Sequence, residues 1–254
     1  HFGLMASAMN FGPDGAMYIA DWDGKWQPNE KGAIHRLDDP TMANHPSRVE
    51  VERLLNEGFE NRDRSELKLL LGHADQRIRQ RAQGALAIRG EGALLLAVAN
   101  DSDSPQLGRI HALWGLIEMR GDGLSNLAGN LPWDDADVEV QAQVAKVAGD
   151  LHLIEAAPHL LALLSNNQVP RIQSYAAIAF GKLKDPSAVP QLVEFLASNN
   201  NNDPFLRHAG VMGLVGAASV GQLQDLRHHG LASVRVAAVN ALRRIRSAGA
   251  AAFL

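Results

Sequence analysis

Arginine is the residue whose spacing first points to chemistry in this sequence. The run DQRIRQRAQGALAIRG, residues 75–90, places arginines at alternate positions 77, 79 and 81. Guanidinium groups bind carboxylates and phosphates, so such a run either forms an anion site or supports a repeated structural unit. Because the same pattern returns later in the chain, we favour the structural interpretation.

Other chemical motifs in the sequence are weak. DWDGKW, residues 21–26, brings Asp21 and Asp23 together, with Asn29 and Glu30 following, but the full pattern of a calcium-binding loop is absent. The ten histidines show no HExxH spacing, and the serines lack the GxSxG context of a nucleophile. We therefore predict no catalytic, cofactor-binding or metal-ligating residue in this chain.

Composition and charge argue against several classes of protein. The 254 residues carry 24 basic and 28 acidic side chains, a net charge of −4, which does not suit a broad nucleic-acid surface. No apolar run approaches the roughly 20 residues that a membrane-spanning helix requires. There is no cysteine, so neither a disulfide nor a covalently attached c-type haem can form within these residues. The chain begins HFGLMASAMN without a signal-peptide pattern, and we interpret it as a piece of a longer protein.

An internal repeat organises most of the sequence. Small residues recur 28 to 34 positions apart, and this column consists of Ala82, Ala112, Ala142, Ala176, Gly210 and Ala238. A second small residue follows three positions later in every unit, and shorter apolar runs such as AVPQLVEFL lie between the units. Each unit therefore predicts a short helix, a turn and a longer helix. Neighbouring hairpins must stack, because neither helix can bury its apolar face alone.

The repeat resembles HEAT repeats, most closely at KLKDPSAVPQLVEFL, residues 182–196. The resemblance implies a mainly α-helical solenoid of about six hairpins over residues 65–247, followed by a tail at 248–254. It also implies a ladder between neighbouring units, built from an aspartate before the second helix and an arginine within it. The residues that match these roles are Asp75, Asp103, Asp203, Arg79, Arg109, Arg207 and Arg235. Glu139 and Gln173 depart from the pattern and are predicted to interrupt the ladder.

The first forty residues have a different pattern. After the turn GPDG, the segments GAMYIADW and GAIHRL predict two strands of an antiparallel hairpin. The hairpin resembles part of the last blade of a β-propeller, since a blade needs four strands. We assign residues 1–40 to a propeller remnant and residues 41–64 to a linker.

The order of these segments carries a second resemblance. FGPDGAMYIADW, KGAIHRL and then LLGHADQRIRQRAQGALAIRG resemble the propeller–HEAT junction of the dehydrogenase-like proteins of planctomycetes and verrucomicrobia. The resemblance implies a periplasmic or otherwise extracytoplasmic bacterial parent protein that binds pyrroloquinoline quinone (PQQ) and haem c. No CxxCH motif occurs in this chain, and the expected quinone-binding residues lie upstream of it, so no cofactor is assigned to it.

One face of the predicted second helices is apolar where a solvent-exposed face would be polar. Its residues are Ile110, Trp114, Val140, Val144, Ile178 and Met212. Packing between repeats explains such a face, and so does a contact surface for another domain or protein. Trp114 is the sharpest candidate for a partner-binding residue, since large aromatic side chains dominate interface energetics.

Three functions remain open from the sequence. The first is a non-catalytic HEAT-repeat scaffold or interaction module within a larger dehydrogenase-like redox protein or complex. The second is a fragment of a quinone-dependent sugar or alcohol dehydrogenase that contributes to catalysis. The third is a free-standing adaptor that binds a protein partner. The lack of a complete propeller in these residues argues against the second.

Overall fold

The structure is a computed structural model that describes residues 5–22, 32–119, 126–166 and 168–246. Within these ranges the chain is mainly helical, with a small sheet near its start. The chain divides into two compact units, residues 1–85 and residues 86–254. The tail assigned to residues 248–254 lies outside the described residues, as do three of the calcium candidates, Asp23, Asn29 and Glu30.

The first unit begins with a three-stranded antiparallel sheet. Its strands, in order across the sheet, are β1 (Ala6–Phe11), β2 (Met17–Asp21) and β3 (Ala33–Leu37). The predicted hairpin consists of β2 and β3, which pair from Met17 with Leu37 through to Asp21 with Ala33. The sequence reading missed β1, whose residues are all exposed and therefore show no alternation between a buried and a solvated face.

Helices complete the first unit, and one of them lies in the segment assigned as a linker. Helix α1 (Pro46–Glu57) begins with a proline, which is tolerated in the first turn, and it buries Val51 and Leu54. Helices α2 (Arg64–Leu70) and α3 (Gln76–Ile88) follow and form the first predicted hairpin. The segment 41–64 is therefore largely helical and packs as part of the first unit.

The second unit is a two-layer stack of helical hairpins. Its helices are α4 (Gly92–Asn100), α5 (Gln106–Glu118), α6 (Leu127–Asn130), α7 (Val138–Asp150), α8 (Ala157–Ser165), α9 (Pro170–Leu183), α10 (Val189–Asn199), α11 (Pro204–Ala217), α12 (Val220–Asp225) and α13 (Ala232–Ile245). The long helices α5, α7, α9, α11 and α13 contact one another in chain order, and α4, α8, α10 and α12 each pack on the long helix that follows. This confirms the predicted HEAT-like solenoid. Of the helices described, none is long and apolar enough to cross a membrane.

The column of small residues is buried, as the repeat pattern predicted. Ala82, Ala112, Ala142, Ala176 and Ala238 are fully buried. In α11 the same position is Gly210, where an added Cβ would lie 2.7 Å from the side chain of Leu196 in α10. The column therefore faces the short helices in this part of the stack, and its small size sets how closely the two layers approach.

Helices α9 and α11 touch through their backbones. A Cβ added to Gly216 would overlap the carbonyl group of Gly181, and a Cβ added to Gly181 would lie 2.5 Å from the carbonyl oxygen of Met212. A Cβ added to Gly213 would lie 2.7 Å from the carbonyl oxygen of Ala177. Real Cβ atoms essentially never approach other atoms within 3.0 Å, so this contact requires glycine at all three positions.

We expect Gly216→Ala to lower the free energy of unfolding by about 3 kcal/mol, because the added methyl group must push α9 and α11 apart. Gly221→Ala in α12 is the matched control, since its Cβ would meet no atom nearer than the Ser219 hydroxyl at 4.0 Å. Alanine is favoured over glycine within a helix by about 1 kcal/mol, so the control should be at least as stable as the wild type. Urea unfolding measures both variants, and equal stability of the two would contradict the backbone contact.

Candidate functional site

The arginines of the predicted ladder hold turns within their own repeats. Arg79 donates to the carbonyl oxygens of His73 and Ala74, at 2.7 and 2.8 Å, in the turn before α3. Arg235 donates in the same way to two carbonyl oxygens in the turn before α13. Such hydrogen bonds satisfy turn carbonyls that the helices leave without partners.

The aspartates of the predicted ladder do not reach these arginines. Asp75 accepts a hydrogen bond from the backbone N–H of Arg77, and Asp203 caps α11 by accepting from the N–H of Phe205. For Asp103 and Arg207, the described residues include no hydrogen bond or ion pair of the ladder type. The predicted ladder of Asp75, Asp103 and Asp203 with these arginines is therefore not formed among the described residues; the carboxylates of Asp75 and Asp203 instead bond N–H groups at their own helix starts.

Arg109 is the one arginine of this column that is seen to link two repeats. Its guanidinium group donates to the carbonyl oxygen of Ala99 at 3.1 Å and pairs with Asp135, which precedes α7. Both charged side chains are largely buried, and losing either one would leave a buried charge without its partner. The sequence reading missed Asp135, since the aspartate that caps α7 is Asp137, two residues later.

Two further ion pairs join α7 to α9. They are Glu139 with Arg171 and Asp150 with Lys182. Glu139, predicted to interrupt the ladder, is therefore itself a link between repeats. The hydrogen bond from Arg171 holds the pKa of Glu139 below its ordinary value. Burial acts most strongly on Asp150 and raises its pKa, but hydrogen bonds from Lys146 and Lys182 together outweigh burial, so its pKa also lies below the ordinary value.

The apolar face predicted from the sequence lies on the long helices, on the side away from the short helices. Gly210 faces α10, and Met212 follows about 200° further around the helix, so it lies on the opposite side. Ile178 holds the same repeat position in α9, and both side chains are half-exposed. We call this side of the second unit the inner face.

The inner face is closed at α5 and α7. Ile110, Val140 and Val144 are buried, so packing between repeats accounts for these three residues and they do not line an open contact surface. Trp114 is half-buried, and its indole N–H donates to Oε1 of Gln143 on α7 at 2.9 Å. The aromatic side chain thus bridges two repeats beside Val144, where a partner was expected to bind.

The inner face is open from α9 to α13. Phe205 is 80% exposed and Val236 is 45% exposed, while His208 is also exposed. With the half-exposed Ile178 and Met212, these five residues form what we call the open inner face. Counted from the small-residue column, Phe205 lies five positions before it, and His208 and Val236 lie two before it. Ile178 and Met212 lie two positions after it. These positions fall on one side of a helix, so the five side chains line up along the stack.

Phe205 is held by a rigid turn. Pro204 stands at the start of α11, and the carboxylate of Asp203 accepts a hydrogen bond from the N–H of Phe205 at 2.7 Å. The buried side chain of Asn199 bonds the backbone of Asp203 in both directions, at 2.9 and 3.0 Å. Because the backbone at Phe205 is already ordered, binding there costs little further backbone entropy. The sequence reading missed Phe205, although an aromatic residue directly after an Asp-Pro helix start is a usable signal.

The first unit holds a separate cavity of about 1010 Å³. Its apolar lining includes Phe11, Met17, Leu37, Met42 and Val51. Both arginines of its lining are paired with aspartates: Arg48 binds Asp38 at 2.8 Å, and Arg77 binds Asp75 at 2.7 Å. The hydrogen bond from Arg48 lowers the pKa of Asp38, and the one from Arg77 lowers the pKa of Asp75. Nowhere in the described ranges do three side chains of the kinds that bind metals cluster together.

The lowered pKa values of Glu139 and Asp150 give a pH prediction. Both pairs stabilise the fold at neutral pH, and this contribution is lost as the pH falls from the ordinary carboxylate range through the lowered values. At neutral pH, the amide variant Glu139→Gln/Asp150→Asn should be less stable than the wild type by about 1 kcal/mol. Urea unfolding between neutral and acidic pH should show the gap closing as the pH falls. If the free energies of unfolding of the wild type and the variant changed in parallel with pH, the stabilising role of these two ion pairs would be contradicted.

The chain is similar to solved structures and to one family of repeats. It is similar to human deoxyhypusine hydroxylase in complex with glycerol, with 20% identity, a TM-score of 0.41, and 67% of this chain and 68% of that chain covered. It is also similar to the complex of CpcE and CpcF of phycocyanin lyase from Nostoc, with 17% identity, a TM-score of 0.37, and 74% and 67% covered. No curated protein sequence matches the chain. Residues 131–215, which include α7 to α10 and most of α11, match the family model of HEAT repeats.

Proposed function

We propose that this chain is a non-catalytic HEAT-repeat scaffold that binds a protein partner, or another domain of the same protein, through the open inner face. The observation that carries this proposal is Phe205, a large aromatic side chain that is 80% exposed in the capped first turn of α11. Exposed aromatic residues next to other apolar side chains mark interaction surfaces, and aromatic anchors supply much of the binding energy at interfaces.

The surroundings of Phe205 suit docking. Met212 lies two turns further along the same side of α11, and its flexible thioether adapts to different partner shapes. Ile178 adds an aliphatic side chain from α9, and Val236 adds one from α13. Three successive repeats thus contribute apolar contacts, which is how stacked repeats build an extended binding surface.

The larger context of this scaffold is also a proposal. By resemblance, the parent protein is an extracytoplasmic dehydrogenase-like redox protein, with PQQ and haem c bound outside this chain. The sheet supports this context: all residues of both edge strands, β1 and β3, are exposed, including Met9 and Ile34. Exposed apolar edge strands are liable to pair with other chains, so further strands are expected to complete such a sheet. A terminal propeller blade has that property.

A random-peptide selection on the immobilised protein tests the docking surface. Peptides that bind the open inner face should lose about 2 kcal/mol of binding free energy with Phe205→Ser, since an anchoring aromatic contributes about that much. Thermal stability should hardly change, because the side chain is mostly exposed in the free protein.

The matched control is Ile154→Ser, which replaces an exposed apolar residue in the turn before α8. Selected peptides should bind this variant as they bind the wild type. Peptides whose binding is indifferent to Phe205→Ser and Met212→Ser, or equally sensitive to Ile154→Ser, would show that the open inner face is not a docking surface.

A further inference from the structure

The last described repeat is basic, although the chain carries a net negative charge. The full chain has a net charge of −4. Between residues 226 and 246, by contrast, the sequence holds five arginines and no aspartate or glutamate. Asp225 in α12 is the one acidic side chain of this repeat, which therefore carries a net positive charge that attracts an anionic partner.

Two of these arginines extend the open inner face. Val236, Asn240, Arg243 and Arg244 are spaced by four, seven and eight residues along α13, so they lie on one side of the helix. Arg243 and Arg244 are exposed, and within the described residues neither has an acidic partner. Arg235 differs from them, since its guanidinium group is engaged by the turn before α13.

The cations of the repeat formed by α8 and α9 are neutralised instead. On the same side of α9, Arg171 is paired with Glu139 and Lys182 is paired with Asp150. These pairs join α7 to α9 and leave little charge for a partner. Unpaired positive charge therefore lies at α13, next to the apolar residues of α11. A basic residue in the last turn of a helix is favourable by itself, but the helix dipole does not account for the apolar side chains beside it.

We propose that the open inner face, extended by Arg243 and Arg244, binds an acidic amphipathic segment of a partner protein. This inference rests on the proposed docking function and specifies the chemistry of its partner. Apolar side chains of the segment contact Phe205, Met212 and Val236, and its carboxylates receive hydrogen bonds from the two guanidinium groups. Arginine suits this role because its planar group binds a carboxylate through two parallel N–H groups.

A protein segment fits this surface better than a nucleic acid does. Met212 and Val236 are aliphatic, and a phosphate backbone offers no apolar surface to cover them. Single-stranded nucleic acids bind by stacking successive bases on several aromatic side chains, whereas this face offers one phenylalanine and one histidine among aliphatic side chains. A carboxylate-bearing segment with leucine-like side chains satisfies both the charge and the apolar surface.

Fluorescence polarisation with defined peptides tests the proposal. The probe is a fluorescein-labelled peptide of repeated Glu-Glu-Leu-Leu units, and its controls are repeated Gln-Gln-Leu-Leu and Glu-Glu-Ser-Ser peptides of equal length. The acidic amphipathic peptide should bind most tightly, and its affinity should fall as sodium chloride is raised, because salt screens the exposed charges. A labelled oligodeoxythymidine serves as the nucleic-acid rival.

Variants of the protein locate the binding site. Arg243→Gln/Arg244→Gln should weaken binding about tenfold, and Arg243→Lys/Arg244→Lys should restore part of it, since the charge returns without the paired N–H groups. The matched control is Arg53→Gln/Arg81→Gln, which removes the same charge from exposed arginines of the first unit. This control should bind the peptide as the wild type does. Thermal unfolding verifies that each variant is folded.

The outcomes separate this inference from the proposed function. Equal binding of the Gln-Gln-Leu-Leu peptide, unchanged binding by the Arg243→Gln/Arg244→Gln variant, or tighter binding of the oligodeoxythymidine overturns the acidic partner. If Phe205→Ser still abolishes binding of library-selected peptides in that case, the docking function stands with a partner of different chemistry. If neither the phenylalanine nor the arginine variants affect any peptide, both proposals fail.

Discussion

The backbone contact between α9 and α11 is the constraint on which the second unit depends. Gly181, Gly213 and Gly216 bring the two helices so close that no Cβ fits between them. A close contact of this kind fixes the separation and rotation of both helices, because sliding or turning either one would bring side chains into the gap. The positions of Ile178 and Met212 on the inner face follow from that fixed arrangement.

The repeats before this contact are joined by charged side chains as well as by a close approach at Gly149, where an added Cβ would lie 2.8 Å from the Cα of Ala179 in α9. Arg109 with Asp135, and Glu139 with Arg171, link α5 to α7 and α7 to α9 through charged side chains. Trp114 closes the inner face over the same repeats by its hydrogen bond to Gln143. The stack therefore has a closed half, where polar and aromatic side chains bridge repeats, and an open half, where the apolar side chains of the inner face stay at least partly exposed.

The sequence predicted the features that follow from the repeat, and it did not predict which side chains form hydrogen bonds with each other. The buried column from Ala82 to Ala238 follows directly from small residues recurring once per hairpin. The hydrogen-bond partners of Arg79 and Trp114 do not follow from the repeat, because they depend on how far each side chain reaches across a turn or to a neighbouring helix. Strand β1 was missed because its residues are all exposed. Phe205 was missed because the sequence does not show how exposed a side chain is, although its place directly after an Asp-Pro helix start is a usable signal.

Methyl resonances of methionine test the central claim, that partners bind the open inner face, most directly. The protein has six methionines, which are Met5, Met9, Met17, Met42, Met119 and Met212, and of these only Met212 belongs to the open inner face. In a carbon-13 methyl-labelled sample titrated with the Glu-Glu-Leu-Leu peptide, the Met212 signal should shift while the other five stay in place. Binding that leaves Met212 unchanged, or that shifts Met17 and Met42 in the cavity of the first unit, would contradict the account.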